Sequence, residues 1–142
     1  MSNELIQIEK IFNVPVEKLW DAITNNAAMK QWYFKLDEFK PEVGFEFRFL
    51  EGNEEKKYLH ICKITEVIPN KKLSYSWRFD EMEGLSLLTF ELFPEGEKTK
   101  LMLTHAGVGT FKTDNKGFTI ADFTEGWTYI IHTSLKKFLE EK

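Results

Sequence analysis

The sequence predicts an α+β fold in which a curved antiparallel sheet of about six or seven strands wraps around one long C-terminal helix. Three observations carry this. From Val43 to His105 apolar residues recur at every second position in successive runs. Short turn-forming stretches join those runs, which is the mark of an antiparallel meander. From Thr119 to Lys142 the apolar spacing changes to three and four, the period of a helix.

In chain order, Glu4 to Asn13 reads as the first strand, with Ile6, Ile8 and Phe12 on one face, interrupted only by Lys10. Asn13-Val14-Pro15 marks a helix start, since proline is tolerated in a first turn. Val16, Leu19, Trp20 and Ile23 then form a short amphipathic stripe. Thr24-Asn25-Asn26 breaks it, and Ala27 to Trp32 reads as a second short helix or turn. Phe45, Phe47 and Phe49 share a face against Glu46 and Arg48. Tyr58 to Ile68 is a longer strand closed by Pro69-Asn70-Lys71-Lys72. Leu73, Tyr75, Trp77 and Phe79 alternate against Ser74, Ser76 and Arg78, and Leu88, Phe90 and Leu92 against Thr89 and Glu91. Leu101, Leu103 and His105 complete the series. Ala106 to Lys116 is a loop.

In the last segment Phe123, Trp127, Ile130, Ile131, Ser134, Leu135 and Phe138 draw one stripe along the helix. Thr119 and Asp122 have the spacing of a capping box, with Asp in place of the usual Glu. A helix about 10 Å across is narrower than six or seven strands spaced about 4.8 Å apart. That mismatch predicts a gap between helix and sheet unless large side chains fill it.

Length and composition set bounds. The 142 residues suit one domain spanning 1–142, with no repeats or linkers. Thirteen Phe, four Trp and four Tyr predict a bulky interior. The formal charge of −4 is spread without a basic block, which argues against a nucleic-acid partner. The single cysteine, Cys62, excludes an internal disulfide framework. Together with an N-terminus unlike a signal peptide, it suits a cytoplasmic protein. No apolar run approaches the roughly 20 residues of a membrane span.

Four stretches stand out by their order and spacing. The first two are Val16-Glu17-Lys18-Leu19-Trp20-Asp21-Ala22-Ile23-Thr24 with Met29-Lys30-Gln31-Trp32, and Val43-Gly44-Phe45-Glu46-Phe47-Arg48. The third is the hairpin Ile64-Thr65-Glu66-Val67-Ile68-Pro69 with Lys72-Leu73-Ser74-Tyr75-Ser76-Trp77. The last is Thr99-Lys100-Leu101-Met102-Leu103-Thr104-His105 with Gly126-Trp127. Together they resemble the START-like, helix-grip superfamily (SRPBCC), and within it the branch homologous to the activator of the heat-shock-protein-90 ATPase. The resemblance covers essentially the whole chain. It implies a helix-grip fold with a cavity between sheet and helix that often holds an apolar or amphipathic ligand. Members range from lipid carriers through aromatase/cyclases to co-chaperone modules, so a stress-related chaperone partner is one expectation among several. The eukaryotic activator's separate chaperone-binding domain has no counterpart in these 142 residues.

The residues offer little catalytic chemistry. His60, His105 and His132 have no metal-ligand spacing, and neither a metal site nor a cofactor is expected. There is no G-x-S-x-G and no glycine-rich phosphate cradle. Cys62, among apolar residues, reads as a buried thiol rather than a nucleophile. By parity His105 points inward, either as a histidine satisfied within the protein or as a polar anchor for a ligand, with Tyr75 as a second donor. The expected use is non-catalytic binding of an apolar or aromatic small molecule. A cyclase/aromatase-like enzyme and a chaperone-associated interaction module are the alternatives. The expected cavity is bounded by Trp32, Phe47, Phe49, Tyr75, Trp77, Phe90, His105, Phe111, Trp127, Ile131 and Ser134. The 106–116 loop is its expected lid, hinged at Gly107 and Gly109 with Phe111 as the plug; anchoring of the loop to the core by Phe111 is the other reading.

Overall fold

The computed structural model describes residues 5–52, 57–111 and 118–140. Strand β1 (Leu5–Phe12) leads into helices α1 (Val16–Thr24) and α2 (Asn26–Trp32). Strands β2 (Glu46–Gly52), β3 (Lys57–Ile68), β4 (Lys72–Phe79), β5 (Ser86–Glu95) and β6 (Lys98–Ala106) follow. Helix α3 (Ile120–Tyr129) continues through a π-helical segment (Ile130–Leu135) into α4 (Lys136–Glu140), and these three together form the C-terminal helix.

The strands form one six-stranded antiparallel sheet in the order β1-β6-β5-β4-β3-β2. Strands β2 to β6 are a plain meander, and β1 returns to pair with β6. The alternation read from the sequence fixes which face is dry. Ile6, Ile8 and Phe12, Phe47 and Phe49, Leu73 to Phe79 at every second position, Leu88 to Leu92, and Leu101 to His105 are all buried. The turn after β3 places Asn70 at φ 64°, a left-handed conformation that asparagine tolerates better than most residues.

The short helices brace the assembly. Pro15 occupies the N-cap of α1 rather than its first turn, at φ −71° and ψ 162°. Asn25 separates the two helices and caps α2, its side chain accepting from the Ala27 N–H at 2.9 Å. Helix α1 lies against β5 and β6, and α2 against the C-terminal helix.

The capping box at the start of α3 is formed. Thr119 Oγ1 accepts from the Asp122 N–H at 3.0 Å, and the Thr119 N–H donates to Asp122 Oδ2 at 3.3 Å. At the far end Glu140 Oε2 accepts from the Asn13 N–H at 2.8 Å, tying the helix to the end of β1.

Of the expected helical stripe, only Trp127, Ile131 and Leu135 are fully buried, and Leu139 extends them as a row of every fourth residue. Phe123, Ile130, Ser134 and Phe138 flank that row half-buried. In a regular α-helix a step of four residues drifts around the axis by about 40°. The π segment, with its wider i→i+5 turn, counters the drift and keeps Ile131 and Leu135 aimed at the sheet.

Candidate functional site

At the end of the sheet where β3 begins and β4 ends, helix and sheet do not close on one another. A cleft of about 150 Å³ remains, lined by Phe34, His60, Trp77, Asp122, Phe123, Gly126, Trp127 and Ile130. The sheet supplies His60 and Trp77, the segment after α2 supplies Phe34, and the first turns of the C-terminal helix supply the rest. The aromatic rings meet mainly edge to face. Trp77 lies 5.5 Å from Trp127 at 68° and 5.2 Å from His60 at 86°. Phe49 backs this wall, stacked 4.4 Å from His60 and 4.7 Å from Phe34.

Behind the cleft is a hydrogen-bond chain whose directions follow from its donors. The Trp127 indole N–H can only donate, and it gives its proton to His105 Nδ1 at 3.0 Å. His105 Nε2 therefore carries the ring's proton and donates to Ser86 Oγ at 2.8 Å. The Ser86 hydroxyl in turn donates to the Trp77 carbonyl at 3.0 Å. His105 is fully buried, and burial holds its pKa down at about 3, so the ring is neutral. Both nitrogens are committed within the protein, which leaves His105 as a strut between sheet and helix.

His60 is also neutral. Burial lowers its pKa to about 4 against the opposing effect of backbone hydrogen bonds at Tyr58 and Phe49. Its Nδ1 lies 2.9 Å from the Tyr58 carbonyl, an acceptor, and so carries the proton. Tyr75 and Tyr33 share a hydroxyl–hydroxyl bond of 2.6 Å, and burial raises the pKa of both. Trp77 Nε1 differs from these groups: it is buried and has no hydrogen-bond partner among the described residues.

Trp77 and Trp127 are thus the two residues of the expected cavity that line the cleft. Phe47, Tyr75, Phe90 and Ile131 are core. Trp32 is locked between the short helices, its indole N–H donating to the Ala22 carbonyl at 2.8 Å. Ser134 is half-buried beside the core row. Phe111 is buried edge-to-face on Phe79 at 5.0 Å and stacked 6.0 Å from Phe123. Residues 112–117, most of the remaining loop, lie outside the described residues.

The start of that loop is pinned. Thr110 Oγ1 accepts from the Leu85 N–H at 2.9 Å and donates to the Gly107 carbonyl at 2.7 Å. Gly107 sits at φ 90°, and a Cβ there would stand 2.8 Å from the Leu85 carbonyl. Its glycine is required by conformation and close approach.

Sequence reading missed Phe34, His60, Asp122, Phe123, Gly126 and Ile130 as lining. Two carried a signal. His60 shares the inward parity of Cys62 and Ile64, and Gly126 interrupts a helix interior where glycine is disfavoured.

Residues 13–140 match the family described as Activator of Hsp90 ATPase homolog 1-like protein, AHSA1. The chain belongs to the AHSA1 family. Among solved structures it is similar to protein MLL2253 from Mesorhizobium loti, with a TM-score of 0.81 and 26% identity over 98% of each chain. It is also similar in fold to the Aha1 dimer from Colwellia psychrerythraea (TM-score 0.72, 19% identity, 96% of each chain). A third likeness is to CalU16 from Micromonospora echinospora (TM-score 0.73, 23% identity), covering 96% of this chain and 76% of that one. No curated protein matches the sequence significantly. The helix-grip architecture expected of an AHSA1 member is the one observed. Among the described residues no helix is long and apolar enough to cross a membrane, and no cluster of His, Cys, Asp and Glu could hold a metal ion.

A larger depression of about 470 Å³ lies at the opposite end of the β3–β4 hairpin, lined by Val16, Ile68, residues 70–72 and residues 91–94. Lys72 there is paired with Glu66 at 3.1 Å, and no unpaired buried polar group belongs to its lining. The smaller cleft is the one with aromatic walls and a buried donor that has no partner among the described residues.

Proposed function

We propose that this AHSA1-family chain binds a small apolar or aromatic molecule, without transforming it, in the cleft between the sheet and the C-terminal helix. The observation that carries the reading is the aromatic cleft beside Gly126, left where one helix fails to cover the sheet. The polar groups nearby favour binding over catalysis. General acid–base work needs a group that exchanges a proton near the working pH. His105 is neutral with both nitrogens engaged, His60 is neutral, and Asp122 Oδ2 accepts from the Thr119 hydroxyl and N–H.

The test is native mass spectrometry of the purified protein for a co-purifying molecule, followed by titration with apolar compounds monitored by amide chemical shifts. Shifts at Phe34, His60, Gly126 and Trp127 are expected. Shifts confined to the outer sheet face, or none with any apolar compound, would overturn the reading in favour of a protein-interaction module.

A further inference from the structure

The dimensions and walls of the cleft narrow the class of molecule it fits. Pockets for drug-sized ligands run to roughly 300–1,000 Å³. This one holds about 150 Å³, the scale at which an apolar cavity takes a single benzene ring. Its walls carry five aromatic rings, against which a flat guest packs edge to face or offset. Charge is disfavoured. The lining has no Lys or Arg to meet an anion, His60 is neutral, and its one carboxylate, Asp122, is exposed and already accepts from Thr119, so a charged guest would be buried without a dedicated partner.

Two further features are unexplained by folding alone. Trp77 Nε1 is a buried donor in this wall with no partner among the described residues, although buried polar groups are nearly always paired. Gly126 stands inside a helix, where glycine is unfavourable, yet a Cβ built there meets no atom within 4 Å. Packing therefore does not demand glycine at 126. Gly126 is exposed and lines the cleft, so a side chain there would extend into the open space at its edge.

We propose that the cleft takes an uncharged single-ring aromatic molecule bearing a hydrogen-bond acceptor, with Gly126 setting its size limit and Trp77 supplying the donor. This rests on the binding reading above and narrows it. The guest packs against the rings that line the cleft, and its acceptor meets the Trp77 indole N–H, which has no other partner among the described residues.

The experiment compares p-cresol with p-xylene, nearly the same shape without the hydroxyl, and with 2-naphthol and octanoate. Each is titrated into ¹⁵N-labelled protein, and the Trp77 indole resonance is assigned by its loss in Trp77→Phe. We expect p-cresol to bind about fivefold more tightly than p-xylene, as one recovered hydrogen bond implies, and to shift the Trp77 indole proton. That preference should vanish in Trp77→Phe. Gly126→Leu should abolish p-cresol binding, and Gly126→Ala, which keeps a good helix former, should weaken it severalfold.

Equal binding of p-cresol and p-xylene, or octanoate or 2-naphthol seating in the cleft as tightly as p-cresol, overturns this inference and leaves the broader reading standing. Unchanged p-cresol affinity in Gly126→Ala overturns the assigned role of Gly126. Absence of any cleft shift with all four probes removes both readings.

Discussion

Acidification should remove much of this protein's stability, and His105 and His60 set the scale. In the unfolded chain each ring takes a proton near its ordinary value of 6.5. In the folded chain burial holds His105 at about 3 and His60 at about 4. Between those values the unfolded state binds more protons, so stability is full above about pH 6.5 and is lost as the pH falls. Each histidine contributes a slope of about 1.4 kcal/mol per pH unit inside that window. From pH 7.5 to 4.5 the two together amount to as much as about 5 kcal/mol, comparable with the whole stability of many domains. His105 has no carboxylate to offset this, since its ring neighbours are Trp77, Phe123 and Trp127 and its other partner is Ser86. Urea melts at half-unit pH steps, compared with those of His105→Asn, measure the effect. The variant should start less stable and lose roughly half of the pH slope. A wild-type loss under about 1 kcal/mol across the range, or an unchanged slope in His105→Asn, would refute the assignment of a buried neutral ring.

Three other outcomes are expected. Trp127→Ala should cost about 3–5 kcal/mol in denaturant melts, as for other large core truncations, because it also strips His105 Nδ1 of its donor; a loss under about 1 kcal/mol would mean that the side chain is not packed as described. Thr119→Ala should cost about 1 kcal/mol by removing one half of the capping box, and an unchanged melting midpoint would argue against a cap. Cys62 is fully buried and burial pushes its thiol pKa far up, so Ellman's reagent should label it only as fast as the protein opens; rapid labelling in native buffer would contradict that burial.

The fold was legible because each strand carries its own instruction. In β4 the apolar residues occupy one parity, and a shift by one residue would bury Arg78 in place of Trp77. The capping box was legible for the same reason, since Thr119 and Asp122 act through neighbouring backbone. The cleft was harder to read. Phe34 lies in a segment without periodicity, and its place beside His60 depends on how β2, β3 and the helix come together in space. Parity distinguishes inside from outside. It does not separate a core aromatic such as Phe90 from Trp77, which faces the same helix but lines the gap.

The C-terminal helix shows how one element can serve packing and binding at different levels along its length. Below the cleft, the π segment keeps Ile131 and Leu135 on the sheet, and the row ends at Leu139 fully packed. At the level of the cleft, Trp127 reaches the sheet through His105 while Gly126, one position earlier, presents no side chain. A helix selected only for stability would carry alanine at 126, where a Cβ has room and the gain is about 0.5–1 kcal/mol. Gly126→Ala therefore separates the two demands in one variant. Its melting temperature should rise while its affinity for a single-ring guest falls, and a variant that gained stability with no change in binding would make the glycine incidental.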